Sequence, residues 1–250
     1  MDGMDYLQKI VIDFELQSVA GIKECFEHGL NPNEMLDGKP LIYTLINFYP
    51  RGPLFKECIQ EFVGHGLEFE DKILLSILLD DADALDALLT AHPKALQKRY
   101  SLDCTFTPLY KATLLHICAE YNHVGSAKVL MKHGADVNVK AGIDEHGFGG
   151  HTPIFHTVNQ NENRCIDMMH YLVAQGADLH LTVKGLIWGK GYEWETFIPA
   201  VNPISYAMMG LLRQFQRTEE MIYEVVSVLM KARYGIDYVS LNVPNAYLKG

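Results

Sequence analysis

TLLHICAEYNHVGSAKVLMKHGADVN, running from Thr113 to Asn138, is the stretch that decides the fold. Thr113 is placed so that its hydroxyl caps the first orphan amides of a short helix beginning near Leu114, on which Leu115 and Ala119 share a face. A turn around Asn122 to Gly125 leads into a second helix, where Ala127, Val129, Leu130 and Met131 mostly meet the first. Gly134 can take the left-handed conformation that ends it. The product is an antiparallel helix pair. Neither helix buries its apolar face alone, so the pair needs neighbours of the same shape on both sides.

Such neighbours are present. Downstream, HTPIFHTVNQNENRCIDMMHYLVAQGADLH repeats the scheme from His151, with Thr152 as cap, Pro153 at the first helical position, and Gly176, Ala177 and Asp178 closing the second helix. A more divergent copy starts NPISYAMMG at Asn202 and continues TEEMIYEVVSVLMKARYGID, with Thr218 as cap and Gly235 at the helix end. Upstream, EHGLNPN at Glu27 and GHGLEFE at Gly64 hold the helix-ending position, their Gly29 and Gly66 lying 37 residues apart. GKPLIYTLIN at Gly38 opens a unit without its Thr and His, and DKILLSILLDDADALDALLTAHP supplies another pair, broken at Asp80 to Ala82 and ended by Pro93.

The unit at Thr113 resembles the ankyrin repeat along its whole length: TLLHICA stands for the family's T-P-L-H-x-A-A and HGADVN for its G-A-D-x-N. The resemblance extends over nearly the whole chain, and at about 33 residues per unit plus insertions it implies an all-α ankyrin-repeat solenoid of about six stacked helix pairs with two long loop insertions. The expected organisation is one domain, 1–250, with degenerate repeats at 4–36, 37–70 and 71–104, clear repeats at 108–150 and 151–200, and a C-terminal capping repeat at 201–250. Atypical terminal repeats are expected of such stacks. The resemblance also implies that His116 links neighbouring units through backbone hydrogen bonds. The part from Leu181 onward is similar to the C-terminal segment of a group of bacterial ankyrin proteins without assigned activity, which implies a bacterial source.

Two insertions interrupt the pattern. Val139 to His151, VKAGIDEHGFGGH, is a Gly-rich finger carrying Asp144, Glu145, His146 and Phe148; Leu181 to Val201, LTVKGLIWGKGYEWETFIPAV, holds both tryptophans. Insertions in a repeat stack fall on one edge, often the binding edge, and Trp and Tyr dominate interface hot spots. The candidate partner-binding residues are therefore Trp188, Tyr192, Trp194 and Phe197, then Phe148 and His146. The other reading is that these rings fold back to cover the last repeat.

Composition narrows the function. A formal charge of -10 supplies no basic footprint for nucleic acid, and the acidity is concentrated in residues 1–100, with 17 Asp and Glu against 9 Lys and Arg. Five widely spaced cysteines read as reduced, buried thiols. No apolar run is long enough for a signal peptide or a membrane span, which points to a cytoplasmic location. Asp144, Glu145, His146 and His151 form the best local metal-ligand cluster, but a Gly-rich loop is a poor rigid frame and neither HExxH nor paired CxxC occurs. GLIWGKG at Gly185 lacks one residue of a phosphate loop and has Gly191 where Ser or Thr should hold magnesium. Cys118 and His116, two apart on a helix, face different ways. These observations identify no catalytic residue, metal or cofactor. The expectation is a monomeric, non-enzymatic module that binds a protein through the concave face, formed by the short first helices, and the loop fingers. The alternatives are a bacterial effector or inhibitor that sequesters a host or cognate protein and, less favoured, an enzyme with its site in the 181–201 insertion.

Overall fold

Short acidic and hydroxyl side chains set where the helices begin. Asp5 Oδ1 accepts the amides of Leu7 and Gln8, Ser18 Oγ that of Gly21, Asp71 Oδ1 those of Ile73 and Leu74, and Asp81 Oδ1 that of Ala84, each satisfying donors that the first turn leaves orphaned. The structure, a computed structural model, describes residues 5–48, 51–210, 217–237 and 239. Residue 4, where the first repeat was expected to begin, and residues 211–216, 238 and 240–250 of the expected C-terminal repeat lie outside these.

Helices follow one another along the chain: α1 (Tyr6–Leu16) packs with α2 (Val19–Glu27), α5 (Lys72–Leu78) with α6 (Ala82–Ala91), and α7 (Leu114–Tyr121) with α8 (Val124–Lys132), while α3 (Leu41–Asn47) packs on α1 and α4 (Phe55–Gly64) on α2. At the next step the first partner is only a 3-10 turn, Pro153–His156, packed with α9 (Ile166–Ala174); α10 (Pro203–Ala207) and the longer α11 (Glu219–Tyr234) follow. Gly134, at φ +90°, ends α8 in the left-handed region that a glycine occupies without steric penalty.

Polar links between successive units recur with the same geometry. Asn33 donates to the Gly66 carbonyl at 3.0 Å and accepts from the Glu68 amide at 2.7 Å; Asn138 donates to the Gly176 carbonyl at 3.1 Å and accepts from the Asp178 amide at 2.7 Å. Where one helix turns into the next, Asp80 accepts from the Ser126 amide at 2.7 Å and Asn122 from the Met168 amide at 3.0 Å. Between these links runs one hydrophobic core, from Ile10 and Phe14 through Phe62, Leu74, Leu115 and Phe155 to Tyr206 and Leu229. Among the described residues no helix is long and apolar enough to cross a membrane.

The expectation of an all-α solenoid of about six helix pairs is corrected by the strands. With 51% of the structure helical and 12% in three small antiparallel sheets, the fold is mixed α/β. The sheets are two-stranded: β1 (Met35–Leu36) with β2 (Lys39–Pro40), β3 (Arg99–Leu102) with β4 (Leu109–Thr113), and β5 (Val183–Trp188) with β6 (Thr196–Val201). The second expected loop insertion is thus a hairpin, in register from Val183 opposite Val201 to Trp188 opposite Thr196. Its strands, VKGLIW and TFIPAV, are rich in β-branched and aromatic residues. Val183, Leu186, Ile198 and Val201 are buried, the pairs Val183–Val201 and Leu186–Ile198 on opposite faces of the hairpin, while Lys184, Thr196 and Phe197 are exposed. In the first insertion a lone bridge between Ile143 and Gly149 closes the finger tip.

Candidate functional site

Backbone hydrogen bonds tie the finger to the hairpins on either side. The Gly142 amide donates to the Tyr110 carbonyl of β4 at 2.9 Å, and the Gly149 amide to the Gly185 carbonyl of β5 at 3.0 Å. Beyond β5, the Gly189 amide donates to the Thr105 carbonyl, which fastens the β5–β6 turn to the segment leading into β4. The finger and two of the hairpins therefore lie side by side, and all six residues expected to bind a partner sit on them.

They form two groups. Phe197, on β6, meets Phe148 of the finger with ring centroids 4.7 Å apart; Lys184 lies over the Phe148 ring at 5.0 Å and donates from Nζ to the His146 carbonyl at 2.6 Å. Asp144 shapes the finger beneath them by accepting the His146 and Phe148 amides, which holds its carboxyl below the usual range against the opposing effect of desolvation. The second group is at the hairpin turn, where Tyr192 and Trp194 stack with centroids 5.6 Å apart. Tyr192, Trp194 and Phe197 are 60%, 45% and 48% exposed, respectively, whereas Trp188 is half-buried. The Trp188 indole donates to the Tyr206 hydroxyl at 2.7 Å and its ring stands edge-on to Phe106 at 5.4 Å, so this tryptophan binds the hairpin to the core. Tyr110 and Ile143, exposed on β4 and the finger, add apolar surface that the sequence reading did not single out. A groove of about 550 Å³, lined in part by Asp103, Tyr110, Lys190 and Tyr192, separates the β3–β4 connection from the β5–β6 turn.

Beneath the hairpins is a chain of buried polar groups. The Thr113 amide donates to His116 Nδ1 at 3.3 Å, and His116 Nε2 donates to the His151 carbonyl at 3.1 Å, the link between units that the family resemblance implies. Burial, then the neighbouring His156, holds the His116 pKa down to about 3, so the ring is neutral. His151, part of the local cluster considered for a metal, is also buried, its Nε2 lying 3.2 Å from His156 Nε2; burial keeps it neutral too. His156 donates from Nδ1 to Glu120 Oε2 at 2.8 Å, and Gln160 donates to the same oxygen at 3.2 Å. Arg51 Nε reaches Glu120 Oε1 at 3.4 Å. Burial alone would raise the Glu120 carboxyl, but the His156 hydrogen bond and the charge of Arg51 oppose it and keep the carboxylate ionised. Cys104, pushed up to about 12 by burial and by Glu120, remains a thiol that donates to Oε1 at 3.5 Å.

The sequence reading missed Arg51, Glu120 and His156. Glu120 carried the available signal, as a lone charge among ICA and Y in a helix that its neighbours make apolar throughout. Arg51 lies 69 residues away, and nothing local marks it as its partner.

The ankyrin repeat family model matches residues 110–141, a span that includes the end of β4, α7, α8 and the start of the finger. No curated protein matches the chain.

Proposed function

We propose, from the place of this chain in the ankyrin-repeat family, that it is an interaction module whose partner is a protein held along the finger and the adjoining hairpins. The reading rests most on one observation: Tyr192, Trp194 and Phe197, about half exposed, stand on a hydrogen-bonded framework, so that little backbone freedom remains to be lost on binding. Phe148 and His146 extend the surface on the finger. Trp188 serves it from below by fixing the hairpin to Tyr206. No chemical step is assigned to this surface.

The test is retention of partners from the native host on immobilised chain, wild type against the combined Tyr192→Ala, Trp194→Ala and Phe197→Ala variant, with melting temperature followed in parallel. Loss of a specific partner at an unchanged melting temperature supports the reading. Equal retention by both proteins sinks it.

A further inference from the structure

A second cavity, of about 510 Å³, lies apart from the exposed aromatic residues and has different chemistry. Its lining includes Arg51, Glu120, Cys104, Gln160, Phe106 and Trp188, so a buried ion pair meets an aromatic wall and a primary amide. The volume is in the range typical of small-molecule sites, roughly 300–1,000 Å³.

The ion pair itself is incomplete. A guanidinium offers Nε–H and Nη2–H along one edge, and a well-made pair with a carboxylate uses both, at about 2.7–2.9 Å. Arg51 instead reaches Glu120 by Nε alone, at 3.4 Å, because Nη1 is engaged by the carbonyls of Ile46 and Phe48. Nη2, buried on the same edge, has no hydrogen-bond partner among the described residues. Glu120 Oε2 is well served by His156 and Gln160, but Oε1 has only the long contacts from Arg51 and from the Cys104 thiol at 3.5 Å. An unused donor and an under-used acceptor thus stand side by side at a cavity walled by two aromatic rings set edge to face. Leaving such a donor unpaired is unfavourable, and a group of matching shape would relieve it.

We propose that this cavity binds a small planar ring bearing an O=C–N–H edge, the carbonyl accepting from Arg51 and the N–H donating to Glu120, with the ring body against Trp188 and Phe106. An oxopurine base and a ring carboxamide such as nicotinamide share that edge. A molecule with a carboxylate alone fails against Glu120, and an ammonium alone leaves Arg51 unanswered. The site shares Trp188 with the hairpin of the protein-binding surface, but Tyr192, Trp194 and Phe197 do not line it.

Isothermal titration of the purified full chain with hypoxanthine, with 1-methylhypoxanthine and with nicotinamide tests this. Hypoxanthine or nicotinamide should bind saturably at one site, and whichever of them binds identifies the source of the edge; 1-methylhypoxanthine, which lacks the N–H, should bind at least roughly tenfold more weakly than hypoxanthine, as expected for one lost charge-assisted hydrogen bond. Glu120→Gln should lose a similar factor. Because that change sits in the interior and could disturb folding, Leu54→Trp serves beside it: Leu54 is a half-exposed residue of the cavity lining, and the larger ring should block entry with the melting temperature retained. Absence of saturable binding by wild type, or binding by a folded Leu54→Trp variant as tight as wild type, would overturn the proposal.

Discussion

His156 donates to Glu120 across 2.8 Å in the interior, and with that bond the 3-10 turn at 153–156 is clasped to the end of α7. The family-like units at Thr113 and Thr152 are therefore joined by a charged contact as well as by apolar packing. Removing the carboxylate would leave Arg51 and His156 without their shared partner. Glu120→Ala is expected to lower stability by about 3–5 kcal/mol, the usual cost of breaking a buried pair from one side. Urea unfolding followed by circular dichroism measures it, and a loss below about 1 kcal/mol would mean that solvent reaches the pair.

Acid should weaken the same region. His116 in the unfolded chain takes up a proton near pH 6.5, whereas the buried ring does so only near pH 3. A folded pKa below the unfolded one means that stability is lost as pH falls from about 6.5 towards 3, at about 1.4 kcal/mol per unit. Glu120 acts in the same direction over a lower window: its contribution is present above the ordinary carboxylate range near 4.5 and disappears as pH falls through its depressed folded value. The urea midpoint should therefore drop steadily from pH 7 to pH 4. In His116→Asn the slope between pH 6.5 and 4 should flatten, and an identical slope in both proteins would assign the effect elsewhere.

Trp188 and Trp194 should separate by phenotype. Trp188→Phe loses the 2.7 Å bond to Tyr206, whose hydroxyl keeps its contact with Thr107 at 2.9 Å, so about 1 kcal/mol of stability should go. Trp194→Ala should change the melting temperature little and partner binding strongly. Thermal melts of both variants beside a binding assay decide between these roles; the reverse pattern would make Trp194 the packing residue.

Two glycines at positive φ are expected to differ in cost. Gly134, at φ +90°, has open space around it, so Gly134→Ala should cost only the conformational strain, about 1 kcal/mol. At Gly149, φ +102°, a β-carbon would stand 2.3 Å from the Gly142 carbonyl oxygen within the finger. Gly149→Ala should cost distinctly more and release the finger from β5, measurable as faster amide exchange at Gly149. Equal costs at both positions would contradict the close approach.

Helices were the legible part of this fold, because a cap such as Thr218 and helix-ending glycines such as Gly66 and Gly134 act through neighbours within a few residues. Strands were not. Val183–Trp188 pairs with Thr196–Val201 across a glycine-bearing turn, and the aromatic side chains of Leu181–Val201 do not reveal that its backbone hydrogen bonds are made within a hairpin. The shortening of the helix after Thr152 to a 3-10 turn was equally hidden: Pro153 at the first helical position suits either kind of helix. At the surface, four of the six candidate residues lie on the β5–β6 hairpin and two on the adjoining finger, and only packing distinguishes half-buried Trp188 from exposed Trp194. The Arg51–Glu120–His156 chain joins residues far apart in sequence, so its existence depends on the stacking itself.

The most direct measurement for the central claim is photo-crosslinking in the native host, with a benzophenone amino acid placed in turn at positions 192 and 197 and, for comparison, at exposed position 12 on α1. The account predicts that positions 192 and 197 both capture the same protein and that position 12 does not. Capture of that protein from position 12 alone, or of no protein from either hairpin position, would contradict it.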